Sequence, residues 1–190
     1  MKLIGRASAS QVVAAYRYDF VVTTNGRPWP DASNGMQPEL LPIARLAVLA
    51  DAGRPVFHPL ECAWDIYEYD TVMLLDGVRS MWDDPPYQRS LRALVDDIAI
   101  GKYFVTVDVQ QRIASIRERA RAGTLEFGDL VAVTGEALCG QASMASVVCL
   151  LEGHHRVIAC TLESKLPPLV RVFVGAKPFP LGIAVINGTH

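Results

Sequence analysis

The chain has 190 residues, of which 51% are hydrophobic and 20% are charged, and its formal net charge is −2. This length fits one domain, residues 1–190, and the small net charge argues against electrostatic steering to nucleic acid or to a membrane. No apolar run is long enough for a signal peptide or a transmembrane helix, and the four cysteines form no CxxC pair. We therefore expect a soluble, cytoplasmic protein with reduced thiols.

The first half of the chain predicts strands and helices separated by strong turn signals. Alternating aromatic residues near the end of segment 12–24 indicate a half-buried strand. The loop that follows carries Trp29 between two prolines, where its ring either covers the protein's own core or contacts a partner. Segment 38–52 has helical spacing, 56–77 is rich in strand formers and ends in a turn signal, and 91–98 is helical again, with Gly101 as its C-terminal cap.

The second half combines one strand, one helix and a strand-rich end. Segment 102–109, KYFVTVDV, is dense in β-branched and aromatic residues and predicts a strand. Segment 109–122 has apolar residues at helical spacing and is followed by Gly123, which predicts a helix and its end. Short β-branched segments separated by Pro or Gly predict further strands at 156–164, 169–176 and 181–187.

The predicted elements together indicate a fold class. Helices concentrate before residue 123 and strands after it, with strands in both halves. This distribution predicts an α+β fold, in which a mixed or antiparallel sheet carries three to four helices mainly on one face and the C-terminal third is rich in strands.

Segment 136–155 is the most unusual part of the sequence, because it holds two of the four cysteines and two of the four histidines. Apolar residues at helical spacing, followed by Gly153 as a C-cap, predict a helix over 143–152. The adjacent β-branched Val147 and Val148 favour the alternative, a β-hairpin that turns at Gly153 and His154.

Cys139 stands just before this predicted helix, where the helix dipole would stabilise a thiolate. Segment 139–145, CGQASMA, resembles the nucleophile helix of papain-like cysteine peptidases, in particular the branch that cleaves bacteriocin leaders. The resemblance covers residues 138–151 and implies Cys139 as a nucleophile. The candidate general bases are His58 and His154, although His154 would lie about 21 Å away, at the far end of the predicted helix.

One further group of residues suggests binding chemistry, whereas a second does not. Arg112, Arg117 and Arg121 lie on the predicted helix 109–122, and arginine is the residue expected to contact phosphate or carboxylate groups. The cysteines and histidines of 149–160 lack the spacing of a zinc site, so we expect no metal. No motif indicates a cofactor.

Protein association is the leading interpretation, either as a homo-oligomer or within a larger complex. The charged fraction of 20% is below the usual ~25%, so part of the surface should be covered by a partner or by a second copy. A Cys139-dependent thiol hydrolase is the first alternative, and a nucleic-acid-contacting subunit that uses the arginine helix is the second. The sequence leaves open whether the protein is an enzyme.

Overall fold

The structure, a computed structural model, describes residues 1–8, 11, 12, 15, 62–82 and 88–176. Within these residues the strands are β1 (Lys2–Ala7), β2 (Ala63–Asp70), β3 (Val78–Ser80), β4 (Leu130–Thr134), β5 (Val148–Glu152) and β6 (Leu169–Ala176). The helices are α1 (Thr71–Gly77), α2 (Leu91–Ala99), α3 (Val107–Ala122), α4 (Gly135–Cys139) and α5 (His154–Leu162), with a 3₁₀ turn at Ala142–Met144. Trp29, His58 and the predicted segments 38–52 and 181–187 lie outside the described residues.

The described strands form one mixed sheet in the order β1-β2-β6-β4-β5-β3. β4 runs parallel to β6 and β3 runs parallel to β5, whereas the other neighbouring strands are antiparallel. β4 is buried on both faces, because Leu130 and Ala132 join one hydrophobic cluster while Val131 and Val133 join another. The mixed sheet and its helices confirm the predicted α+β class.

Helices lie mainly on one face of the sheet. Leu74 of α1, Leu91 of α2 and Val157 of α5 pack in one cluster with the sheet, and α3 packs on α2 and α5 in a second layer. On the other face, Ala137 of α4 packs in the cluster that contains Trp64 of β2. Both faces of the sheet are therefore covered by apolar packing, so residues that could contact another molecule lie in the loops and at the ends of the helices.

Several predicted elements are confirmed. α2 corresponds to the predicted helix 91–98, and Gly101 follows its end with a φ of +70°. α3 contains the predicted helix 109–122, and Gly123 ends it in the left-handed conformation with a φ of +69°. β6 corresponds to the predicted strand 169–176.

The predicted helix at 143–152 is wrong, because residues 148–152 form β5. β5 lies between β4 and β3, and its Cys149 and Leu150 are each buried in a cluster on a different face of the sheet. A strand buried on both faces has no polar alternation, so its apolar run resembled a helix face. The alternative prediction had the strand right but the hairpin wrong, because Gly153 precedes α5.

The predicted strand at 156–164 is also wrong, because these residues lie mostly in α5. Val157 of α5 packs against the sheet, while Ile158 packs against α2 and α3. A helix covered on two sides can be apolar around most of its surface, which hides the helical periodicity. Within residues 124–176, α4 and α5 therefore alternate with β4, β5 and β6.

Two local predictions in the first 110 residues are also corrected. Segment 102–109 is a loop followed by the first turn of α3 rather than a strand. Thr71–Gly77, read as a strand end and turn, is α1, and Asp70 caps it by accepting the Met73 N–H at 2.8 Å. Val12 and Ala15, at the start of segment 12–24, are helical, whereas residues 16–22, whose alternation predicts the strand, lie outside the described residues. β1 had no counterpart among the predicted elements.

Candidate functional site

The loop between α2 and α3 is held by hydrogen bonds at several points. We name residues 100–107 the Phe104 loop. The backbone N–H groups of Lys102 and Tyr103 both donate to the Asp97 carbonyl, at 2.8 and 3.0 Å. The Tyr103 hydroxyl donates to the Trp82 carbonyl at 3.0 Å, and the Gln110 amide donates to the Val105 carbonyl at 3.1 Å. The loop is therefore fixed to α2, to α3 and to the segment after β3.

The largest apolar side chain of this loop is directed into water. Phe104 is 87% exposed, and its neighbours Ile100 and Val107 are 74% and 64% exposed. Bulky apolar side chains in ordered segments are usually packed against the core, so three exposed ones within eight residues form an apolar projection. This projection can contact an apolar surface of another molecule.

The charged groups beside the Phe104 loop are paired within the chain. Asp97 accepts from the Arg89 guanidinium at 2.7 Å and lies 3.7 Å from the Lys102 amine. The Arg89 guanidinium also lies over the Tyr103 ring, 4.9 Å from its centroid. Binding through Phe104 would therefore not bury an unpaired charge from these side chains, because they already pair with one another.

His154 is a structural residue at the start of α5. Its side chain is almost fully buried, at 3% exposure, and stacks on the Trp82 ring with a centroid distance of 5.1 Å. The Nε2 atom accepts the Met81 backbone N–H at 3.3 Å. A general base must direct an available lone pair at the proton it removes, and Nε2 of His154 directs its lone pair at the backbone.

Cys139 precedes β5 in the chain and His154 follows it. Cys139 is the last residue of α4, which connects through the 3₁₀ turn to the beginning of β5, whereas His154 follows the end of that strand. The helix that Cys139 was expected to precede is absent from 143–152, and the C-terminal end of α4 carries the negative end of the dipole.

Arg117 and Arg121 have a structural partner, Glu163, at the end of α5. Arg117 Nε donates to Glu163 at 2.5 Å, and Arg121 donates through two nitrogens at 2.6 and 2.7 Å. The hydrogen bonds from Arg121 and Arg117 lower the pKa of Glu163 to about 2. The two arginines therefore fasten α3 to α5, and Arg112 and Arg121 are both exposed.

Two of the remaining described cysteines have the surroundings of core residues. Cys149 and Cys160 are buried, and burial raises the pKa of the Cys160 thiol to about 11. Within the described ranges, no group of three His, Cys, Asp or Glu side chains could hold a metal ion. The hydrolase and nucleic-acid interpretations thus remain predictions from the sequence, without a described cluster of residues that would carry the chemistry.

The sequence interpretation did not identify the Phe104 loop as a site. Its valines and aromatic residues predict a strand, although Gly101 and Thr106 lie among them. Thr106 is the N-cap of α3 and accepts the Val109 N–H at 3.5 Å, and an N-cap threonine is a sequence signal for a helix start. Because this N-cap places the start of α3 after Thr106, Phe104 lies before the helix, and the threonine is the signal from which a loop could have been predicted.

Comparison of the chain with known protein families, with curated proteins and with solved structures finds no match. Among the helices of the described residues, none combines the length and the apolar character needed to span a bilayer.

Proposed function

We propose that this protein acts in the cytoplasm by associating with a partner protein, and that the Phe104 loop is the principal contact. The observation that carries the proposal is the 87% exposure of Phe104 on a loop held by hydrogen bonds to both flanking helices. The cytoplasmic location rests on the cysteine pattern of the sequence.

A fixed loop with an exposed aromatic side chain suits binding. Binding energy at protein interfaces is concentrated in a few residues, and aromatic side chains are prominent among them. Because the Phe104 loop is already ordered, docking would require little loss of conformational entropy. A projection of three apolar side chains fits a concave apolar pocket, so we expect the partner to provide such a pocket.

The exposure of Phe104 sets the size of the expected effect. Full burial of a phenylalanine contributes up to about 3 kcal/mol, and 87% of this side chain is still exposed in the monomer. Up to about 2.5 kcal/mol is therefore available to a partner, which corresponds to a 50–100-fold change in the dissociation constant. The same exposure means that Phe104 contributes little to folding.

The test compares Phe104→Ser with Phe104→Leu, which keeps an apolar side chain. Proteins retained from a cell lysate by immobilised wild type, but not by the serine variant, are quantified by mass spectrometry. The strongest of them is then produced in pure form and titrated calorimetrically with all three proteins. We expect binding 50–100-fold weaker for the serine variant, and binding near wild type for the leucine variant.

Two results would contradict the proposal. In the first, no protein is retained by wild type in excess of the serine variant. In the second, the purified partner binds Phe104→Ser as tightly as wild type. Urea unfolding of both variants serves as a control, and each midpoint should stay close to that of wild type because Phe104 is mostly exposed.

A further inference from the structure

Three side chains hold the short segment that follows β3. We name Met81 and Trp82 the Trp82 segment. The Met81 backbone N–H donates to Nε2 of His154 at 3.3 Å, and the Trp82 backbone N–H donates to the Ser80 hydroxyl at 3.0 Å. The Trp82 carbonyl accepts the Tyr103 hydroxyl at 3.0 Å. The segment therefore connects β3 to α5 through His154 and to the Phe104 loop through Tyr103.

The sheet topology brings these groups together at one edge. β3 and β5 are parallel, so the Trp82 segment leaves β3 at the same edge where Gly153 leads β5 into α5. The rings of Trp82 and Tyr103 are partly buried against the same cluster, which is formed by α2, α3 and α5. A shift of the Trp82 segment would therefore disturb the packing of Tyr103 as well as its hydrogen bond.

The hydrogen bond from Met81 fixes the protonation state of His154. A histidine nitrogen accepts a hydrogen bond only when it carries no proton, so Nε2 of His154 is unprotonated in this arrangement. A proton at Nε2 would turn the acceptor into a donor that faces the Met81 N–H. Since His154 is almost fully buried, the bond would be lost and a donor would be left without its acceptor, which is costly away from water.

Stacking on Trp82 makes the protonated state accessible. The ring centroids of His154 and Trp82 lie 5.1 Å apart, and the ring planes differ by 17°. An imidazolium in this position would lie over the face of the indole, where a cation is attracted. Acid therefore favours a state in which His154 is charged and no longer accepts from Met81.

Two histidines are the groups near this contact that change their charge in mild acid. Among the residues that the structure describes, the surrounding titratable and charged groups are His155 on α5, Glu152 at the end of β5, Tyr103 on the Phe104 loop and the Arg89–Asp97 pair beside it. Free histidine takes up a proton near pH 6.5, whereas the other residue types keep their charge between about pH 7.5 and 5.5. His155 therefore provides the control for His154.

From these observations we infer that His154 is a pH-sensitive switch, whose protonation releases the Trp82 segment and, through Tyr103, loosens the Phe104 loop. The inference concerns the regulation of the loop that the proposed function uses. Weaker binding of a partner in acid would rest on the proposed function. Loosening of the loop does not, because it is a property of the chain alone.

The first experiment measures amide hydrogen exchange of the full chain by mass spectrometry at about pH 7.5 and 5.5, with labelling times adjusted for the pH dependence of intrinsic exchange. In wild type, exchange of peptides from the Phe104 loop should become about ten- to a hundredfold faster in acid. Peptides from β6 should keep their protection, which would show that the change is local.

Two variants separate the histidines. His154→Gln supplies an amide oxygen that can accept the Met81 N–H but takes up no proton, so the loop should stay protected at both pH values. His155→Gln is the matched control: it removes the neighbouring histidine, whose ring lies 5.3 Å from that of Trp82, and should respond to pH like wild type. Neither variant is tested for partner binding, so failure of the proposed function would leave these results unchanged.

A second measurement keeps the inference testable if His154→Gln does not fold. Nuclear magnetic resonance of the imidazole nitrogens in wild type should show Nε2 of His154 without a proton at about pH 7.5. It should gain a proton over the same pH interval in which exchange of the loop accelerates. Equal protection of the wild-type loop at both pH values, a wild-type response in folded His154→Gln, loss of the response in His155→Gln, or a protonated Nε2 at the higher pH would each overturn the inference.

Discussion

Gly153 joins β5 to α5 with a φ of +107°, and three glycine-to-alanine variants separate the reasons why this position requires glycine. An added Cβ at Gly153 would lie 2.3 Å from Leu130 Cδ2. Gly123 shares the positive φ, at +69°, but has open space around it. Gly77, at the end of α1, has open space and no positive φ. Gly77→Ala therefore tests a site with no expected penalty, Gly123→Ala tests backbone strain alone, and Gly153→Ala tests strain combined with a steric clash.

The structure sets a different magnitude for each variant. Gly77→Ala should stabilise by about 0.5–1 kcal/mol, because alanine costs less backbone entropy in a helix. Gly123→Ala should destabilise by about 0.5–1 kcal/mol, since left-handed strain of about 1–2 kcal/mol exceeds the gain from a less flexible unfolded chain. Gly153→Ala should destabilise by about 2–4 kcal/mol, because Leu130 is fully buried and the clash adds about 1–3 kcal/mol.

Urea unfolding followed by circular dichroism measures these differences in the free energy of unfolding. The native far-ultraviolet spectrum should be the same in all three variants, which serves as the control for a retained fold. The reasoning would be refuted if Gly153→Ala lost no more stability than Gly123→Ala. That result would mean that Leu130 moves at little cost and that the contact with Gly153 does not constrain the β5–α5 connection.

Three further predictions follow from single groups. Glu163→Gln should reduce the acid sensitivity of the fold. The pKa of Glu163 is lowered from 4.5 to about 2, so its charge contributes stability above pH 4.5 that is lost as the pH falls toward 2. Stability curves of variant and wild type that run parallel with pH, measured by urea unfolding, would contradict this. Ser164→Gly should raise the free energy of unfolding by about 0.5–1 kcal/mol, because Ser164 has a φ of +53°; a lower urea midpoint would argue against strain there. Cys160 is 1% exposed with a pKa of about 11, so iodoacetamide should label it only in urea; rapid labelling of the folded protein at neutral pH, seen by mass spectrometry, would be the opposite result.

The sequence could not show the surface on which the proposed function rests. High apolar content indicated that some surface would need a partner, but it did not show where. Phe104 and Ile116 are both apolar residues close to or within α3, and yet one is 87% exposed and the other 1%. The difference depends on the packing of α3 against α2 and α5, which is a contact between distant segments.

The sequence also could not show which candidate site residues have partners within the fold. Arg117 and Arg121 looked available because their partner, Glu163, is more than forty residues away along the chain. His154 looked like a candidate base because nothing in the sequence indicates that its Nε2 accepts the Met81 N–H. Side-chain partners of this kind become visible once β3, β5 and the helices are assembled.

What the sequence determined by itself is the set of elements specified by nearby residues. α3 is the clearest case, because its apolar stripe and the glycine after it act within one or two turns of the same helix. The tertiary structure decided β5, α5 and the Phe104 loop. β5 and α5 are covered on two sides, so neither has the pattern of polar and apolar residues that would have identified it. The Phe104 loop pairs with no strand of the sheet among the described residues. Local signals specify an element where one face meets water, whereas contacts between distant segments decide where neither face does.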